Sequence, residues 1–138
     1  MILLLVRNTE RSYVAVIYQD KILLTRNWLS NRPIWRLPGG GNHPGENSVN
    51  AASRELTEET GISIQANQLK PLALSKKHQK KFTYNIYFTV LDYQPDISNK
   101  TLEIIDAQFI EFKLIGDTYK TDEQVESAIK ALKALEIV

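Results

Sequence analysis

The segment from Gly40 to Ile62, GGNHPGENSVNAASRELTEETGI, constrains the fold of this chain more than any other stretch. Between Ser48 and Thr60 it contains neither glycine nor proline. Asn47 can cap the first turn of a helix there, and Gly61 can adopt the left-handed conformation that ends many helices. The segment therefore predicts a glycine-rich loop followed by an α-helix from Ser48 to Thr60.

Three glutamates stand on one face of the predicted helix. Glu55, Glu58 and Glu59 are spaced i, i+3 and i+4, which brings their Cβ atoms within about 5 to 6 Å of one another. An oxygen-binding cation such as Mg²⁺ or Mn²⁺ would offset the repulsion among them. A helix with three glutamates is more often simply solvated, so the spacing alone leaves both interpretations open. Arg54 has a planar guanidinium that can orient a neighbouring carboxylate.

Nine positions of the segment fit the frame G-x5-E-x7-R-E-U-x-E-E-x-G-U, where U is aliphatic: Gly40, Glu46, Arg54, Glu55, Leu56, Glu58, Glu59, Gly61 and Ile62. The frame resembles the Nudix box of the MutT-like Nudix hydrolases, with no position missing. This resemblance implies metal-dependent hydrolysis of a pyrophosphate bond in a nucleoside diphosphate linked to another group. It also implies the α/β Nudix fold, an α/β/α sandwich with a central mixed β-sheet and a catalytic loop-helix-loop.

The resemblance further implies roles for individual residues. Glu55 would be the base that deprotonates the attacking water and also a metal ligand, and Glu58 and Glu59 would be direct ligands of Mg²⁺ or Mn²⁺. Arg54 would orient a carboxylate, and the backbone carbonyl of Gly39 would complete part of the metal site.

Some family members add a further glutamate in the loop before a late strand, a few residues ahead of an aromatic strand residue. Glu103, six residues before Phe109, fits that place, and Asp106 and Glu111 are weaker competitors.

Several other residues are candidates for substrate contact. Gly40 and Gly41 let the backbone approach a phosphate closely, and Glu46 can join the outer part of the metal site or lock the loop onto the helix. Lys77 and Lys80 belong to a lysine cluster, residues 76 to 81, that is either a solvated hairpin tip or a clamp for substrate phosphates or a 5′ RNA end.

Tyr84, like Trp28, Trp35 and Tyr87, is either part of the core or a platform for a nucleobase.

Strand-like segments recur at residues 2–6, 13–18, 22–26, 72–75, 82–91 and 104–112, which predicts a mixed or antiparallel sheet. A second helix is predicted near the C-terminus. There Thr121 and Gln124 fit a capping box and apolar residues recur from Val125 to Leu135 at helical spacing. Both helices are expected to cover the sheet.

Composition limits the remaining possibilities. The 138 residues are expected to form one domain, residues 1–138, and a net charge of +1 provides no global attraction to nucleic acid or an anionic membrane. The absence of cysteine excludes disulfides, thiolate catalysis and sulfur-based zinc sites. The apolar start, Ile2 to Val6, is too short for a signal peptide or membrane span. A cytoplasmic location is the default expectation.

The position that marks substrate class in this family lies some fifteen to eighteen residues beyond the box. This window, Lys77 to Lys80, contains neither the proline that marks ADP-ribose hydrolases nor the tyrosine that marks diadenosine polyphosphate hydrolases. We therefore expect a small-molecule partner, a nucleoside triphosphate or modified nucleotide, and no membrane. The alternatives are an RNA 5′ pyrophosphohydrolase and a non-catalytic nucleotide-binding module.

Overall fold

The computed structural model describes residues 10–27, 34–74, 83–98 and 104–138. Two α-helices occur in these ranges, α1 (Ser48–Thr60) and α2 (Glu123–Ala134). The strands are β1 (Glu10–Tyr18), β2 (Lys21–Asn27), β3 (Ile34–Arg36), β4 (Gly39–Gly41), β5 (Lys70–Leu74), β6 (Thr83–Leu91), β7 (Ile104–Glu111) and β8 (Lys120–Thr121).

All of these strands join one mixed sheet. Its main path runs β5-β6-β1-β2-β3-β8, and β4 and β7 pair antiparallel with β1 and β2, respectively. β1 and β6 are parallel from Glu10↔Thr83 to Tyr18↔Leu91. β1 and β2 are antiparallel, and Tyr18 pairs with Lys21 across a tight turn. The predicted mixed sheet is confirmed.

Side chains that alternate along β1 separate two apolar layers. Val14 and Val16 pack in a cluster with Leu56 of α1, whereas Ala15 and Ile17 pack in a second cluster with Leu132 of α2. Successive side chains of a strand point to opposite faces of the sheet, so the two helices cover opposite faces. This arrangement is the predicted α/β/α sandwich.

α1 begins and ends where the sequence predicts. The Asn47 side chain accepts a hydrogen bond from the Asn50 amide at 2.9 Å. Gly61 follows the helix with φ 76°, and its N–H donates to the Thr57 carbonyl at 2.9 Å. Both caps satisfy backbone groups that a helix end would otherwise leave unpaired.

The predicted cap of α2 is wrong by one residue. Asp122, not Thr121, is the N-cap, and its carboxylate accepts from the Val125 amide at 3.1 Å. Thr121 belongs to β8 and pairs with Trp35 of β3, which keeps its backbone extended. The helix ends at Ala134, and Leu135 is mostly exposed rather than part of the buried stripe.

The strands predicted at residues 13–18, 22–26, 72–75, 82–91 and 104–112 correspond to β1, β2, β5, β6 and β7. The strand predicted from Ile2 to Val6 lies outside the described residues. β3, β4 and β8, which have two or three residues each, are absent from the prediction. Neither α1 nor α2 has the length and apolar character to cross a bilayer.

Candidate active site

The triple glycine forms β4, which lies directly against β1. Gly39 pairs with Tyr13 and Gly41 pairs with Arg11. Gly39 has φ 156°, and a Cβ there would lie 2.5 Å from the Tyr13 ring and collide with the Ser12 carbonyl. Only glycine therefore allows the loop to approach β1 this closely.

Two glutamates of α1 turn toward this glycine strand. The Gly39 amide donates to Glu59 Oε1 at 3.1 Å. A Cβ on Gly40 would lie 2.7 Å from Glu55 Oε2, so the Glu55 carboxylate rests against the Gly40 backbone. Glu55 and Glu59 thus meet β4 side by side, because they are separated by one helical turn.

Arg54 links the loop to the helix. Its Nε and Nη2 atoms donate to the two carboxylate oxygens of Glu46 at 2.9 and 3.0 Å, in the bidentate geometry of a strong ion pair. Nη1 donates to Glu55 at 3.0 Å and to Glu58 at 3.1 Å. Nη2 also donates to the Gly41 carbonyl at 3.1 Å. One guanidinium therefore orients three carboxylates and the glycine strand.

These contacts change the ionisation of both partners. The hydrogen bonds from Arg54 lower the pKa of Glu46 from 4.5 to about 2, and the backbone N–H of His43 contributes further. The bond to Glu46 is also the largest cause of a raised pKa for Arg54. The pair consequently stays charged at neutral pH and holds the loop at a fixed position.

A polar cavity of about 240 Å³ lies between α1 and the sheet strands β1, β2, β3 and β4. Its described lining comprises Arg11, Tyr13, Thr25, Asn27, Arg36, Leu37, Gly39, Gly40, Gly41, Glu55 and Glu59. The glycines and the two glutamates are among the predicted site residues. The others come from β1, β2, β3 and the residue after β3, and the sequence prediction missed them. The two-residue period of β1, which puts Arg11 and Tyr13 on one face, was the available signal.

Glu58 is placed differently from the other two glutamates. Its side chain is 47% exposed, it bonds Arg54, and it is not part of the described cavity lining. Among residues 10–27, 34–74, 83–98 and 104–138, no three carboxylate or imidazole groups gather closely enough to hold a metal ion. The structure therefore brings together Glu55 and Glu59 but leaves Glu58 at the rim.

The remaining predicted site residues divide into two groups. Glu103, Lys77 and Lys80 lie outside the described residues. Tyr84 packs against the apolar cluster on the α2 side and does not appear in the described cavity lining.

The two competitors of Glu103 lie at different distances from the cavity. Asp106 pairs with Arg26, between the cavity residues Thr25 and Asn27. Glu111 pairs with Lys21, which lies five residues before Arg26 in β2 and therefore roughly 17 Å from it along the strand.

Among the candidate aromatic platforms, Trp35 is only 6% exposed and belongs to the core.

A partly buried polar network joins the start of α1 to the sheet. Ser48, the first residue of α1, donates to Glu10 at 2.6 Å, and the Asn85 amide donates to both Glu10 and Ser48 at 2.9 Å. Asn42 extends the network, since it donates to Ser48 at 3.3 Å and accepts from Ser12 at 2.7 Å. β1, β6 and the loop after β4 are thereby fastened to the start of α1.

Comparisons with known proteins agree with this architecture. The chain is 37% identical to Nudix hydrolase 10 of Arabidopsis thaliana over 83 residues, which are 58% of this chain and 29% of that protein. It is 36% identical to an RNA pyrophosphohydrolase of Dinoroseobacter shibae over 58 residues, 40% of this chain and 36% of that protein. The chain thus spans about a third of the length of these curated relatives.

Among solved structures, the Nudix domain of Shewanella oneidensis NrtR, complexed with ADP ribose, has a TM-score of 0.71 at 17% identity. The match covers 91% of this chain and 87% of that one, and at this identity it shows a shared fold alone. The family model described as NUDIX domain matches residues 8–132, nearly the whole sequence. The chain therefore belongs to the Nudix domain family.

Proposed function

We propose that this protein is a Mg²⁺- or Mn²⁺-dependent hydrolase that cleaves a pyrophosphate bond in a small nucleotide, a nucleoside triphosphate or a modified nucleotide. One observation carries the proposal: the carboxylates of Glu55 and Glu59 face the same polar cavity beside a strand of three glycines. Family membership supports the same reaction class. We further propose that residues 1–138 form one catalytic domain.

The chemistry of the donors fits a hard divalent cation. Glu55 and Glu59 supply carboxylate oxygens, and no histidine is among the described residues that line the cavity. Glu55, Glu59 and the Gly39 carbonyl would hold the ion, and Glu58 would join them by turning inward from its place at the rim. A bound cation would withdraw charge from the phosphate oxygens and make an attacking water more acidic.

The protein groups contribute orientation and proton transfer. Glu55 would accept the proton of the attacking water, because its carboxylate lines the cavity and Arg54 fixes one of its oxygens at 3.0 Å. The Gly39 amide holds Glu59 in the same way from the other side. Arg54, tied to Glu46, keeps these groups in place throughout turnover.

The test is release of phosphate or pyrophosphate from nucleoside triphosphates, modified nucleotides, ADP-ribose and 5′-triphosphate RNA, with Mg²⁺, Mn²⁺ or EDTA. We expect metal-dependent cleavage of at least one small nucleotide. Failure to cleave any of them with either metal would refute the proposal, and binding without turnover would identify a non-catalytic module. Preferential cleavage of the RNA would favour the RNA alternative, which the similarity to an RNA pyrophosphohydrolase supports.

Variants make this test specific. Glu59→Gln should lower turnover by about 10²-fold or more, whereas Glu126→Gln, on the exposed face of α2, should leave turnover unchanged. Glu58→Gln distinguishes two possible roles of Glu58, which accepts a hydrogen bond from Arg54: metal ligand, or partner of Arg54 alone. A loss like that of Glu59→Gln would make Glu58 a ligand, and unchanged turnover would limit it to pairing with Arg54.

A further inference from the structure

The cavity has two walls of opposite charge. Glu55 and Glu59 form the acidic wall on the α1 side, and Arg11 of β1 and Arg36 of β3 form a basic wall. Tyr13 lines the same cavity, where its hydroxyl accepts from Arg11 and its ring lies beside Gly39. The proposed function places a divalent cation at the acidic wall. It assigns no ligand to the two arginines of the basic wall.

The two arginines are held loosely by their Nε ends. Arg11 Nε donates to the Tyr13 hydroxyl at 3.3 Å. Arg36 Nε lies 4.0 Å from Asp122 Oδ2, a long contact for a side chain that is 49% exposed. In the described part of the chain these contacts use Nε alone, so the terminal Nη groups remain available to an anion. A guanidinium can bind a phosphate through two parallel N–H donors.

The size of the cavity narrows the type of ligand. Its volume of about 240 Å³ lies below the roughly 300 to 1,000 Å³ typical of sites that enclose drug-sized ligands. The cavity therefore suits a phosphate chain, with the nucleoside outside it.

We propose that Arg11 and Arg36 bind an unsubstituted terminal phosphate of the substrate, which makes nucleoside 5′-triphosphates the preferred class over nucleoside diphosphates that end in a neutral group. This inference rests on the proposed function. A terminal phosphoryl group carries about 1.5 to 2 negative charges at pH 7, more than the single charge of an internal phosphodiester. The basic wall therefore discriminates by charge at the end of the chain that lies away from the nucleoside.

The first test compares two substrates with the same nucleoside, a triphosphate and a diphosphate linked to a neutral sugar. The wild-type kcat/KM should favour the triphosphate by at least about tenfold. Arg36→Gln should reduce kcat/KM for the triphosphate by about tenfold, mainly through KM, and change the value for the sugar substrate less than about threefold. Arg11→Gln should act in the same direction. Lys130→Gln, on the exposed side of α2, is the matched loss of charge and should change neither.

The second test needs no catalysis and separates this inference from the proposed function. Calorimetry in excess Mg²⁺ should show inorganic tripolyphosphate bound more tightly than pyrophosphate by the wild type, because two phosphates held at the metal leave a third for the arginines only in tripolyphosphate. The difference should vanish in Arg11→Gln/Arg36→Gln. If nucleotides are cleaved but Arg36→Gln keeps the triphosphate preference, the basic wall has no such role and the inference is wrong. If no nucleotide is cleaved but tripolyphosphate binding depends on the arginines, the anion site stands and the proposed hydrolysis fails.

Discussion

Arg54 and Glu46 form a bidentate ion pair, with Nε and Nη2 2.9 and 3.0 Å from the two carboxylate oxygens. Both side chains are about four-fifths buried. The pair joins the loop before α1 to the middle of the helix, so the position of Glu55 depends on a residue eight positions away from Arg54.

Replacement of Arg54 by lysine should show that geometry, and not charge alone, is needed. An ammonium group cannot bind both Glu46 oxygens and also reach Glu55 and Gly41. We expect Arg54→Lys to lower the free energy of unfolding by roughly 1 to 3 kcal/mol and kcat by at least about tenfold. Urea denaturation and steady-state kinetics measure the two effects. Wild-type kcat in the lysine variant would contradict an orienting role.

The pKa of Glu46 predicts how stability depends on pH. Its folded value of about 2 is depressed below the ordinary 4.5, so its ionisation stabilises the folded state fully above about pH 4.5. That contribution should be lost as the pH falls from about 4.5 toward 2. In Glu46→Gln the contribution is absent at every pH. The difference in unfolding free energy between wild type and variant should therefore be constant above pH 5 and shrink below it, as urea denaturation at several pH values would reveal. A constant difference down to pH 2 would disprove the shifted pKa.

The three glycines of β4 should respond differently to alanine. At Gly39 the new Cβ would meet backbone atoms of Ser12 and Tyr13, which cannot move aside, so the loss of stability should be roughly 2 to 4 kcal/mol. At Gly40 the atoms nearest to the Cβ would be those of the Glu55 carboxylate, at the flexible end of that side chain, so Gly40→Ala should fold but lose at least about tenfold in kcat.

Gly41→Ala is the internal control for this series, because no heavy atom of the described residues lies within 4 Å of its added Cβ. Its stability should stay within about 0.5 kcal/mol of the wild type. Thermal unfolding and nucleotide turnover on the three variants would establish the order. Equal losses of stability and of kcat in the three variants would mean that the position of the Glu55 carboxylate does not depend on the absence of a side chain at Gly40.

The partly buried polar network at the start of α1 should be sensitive to loss of a single amide. Asn85→Ala removes one donor to Glu10 and one to Ser48, and we expect a cost of about 1 to 3 kcal/mol. Asn50→Ala, an exposed position on α1, should cost less than about 0.5 kcal/mol. Urea denaturation compares the two, and equal stability would show that water replaces the missing amide.

Local signals explain what the sequence could predict. α1 carries its own caps, Asn47 and Gly61, and its catalytic candidates occupy fixed positions on one face. α2 was misplaced at its start because Thr121 and Asp122 are both acceptable caps, and only pairing of Thr121 with Trp35 decides between them.

Long-range pairing explains what the sequence could not predict. Arg36 lies on a three-residue strand that is held between β2 and β8, and such short strands have no periodicity of their own. Arg11 reaches the cavity because β1 pairs with β4, in which its partner Gly41 lies 30 residues later in the chain. The two arginines of the basic wall come together only when the strands of the sheet pair, whereas the two glutamates of the acidic wall are brought together by the spacing of one helix.

The central place of β1 in the sheet affects how the ligand preference of the cavity can change. β1 pairs with β2, β4 and β6, and its Val14 to Val16 are completely buried, so its amides should exchange with solvent only through global unfolding. Arg11 and Tyr13 project from this strand. A new ligand preference can accordingly be reached by exchanging these two side chains on an unchanged backbone, without remodelling a loop.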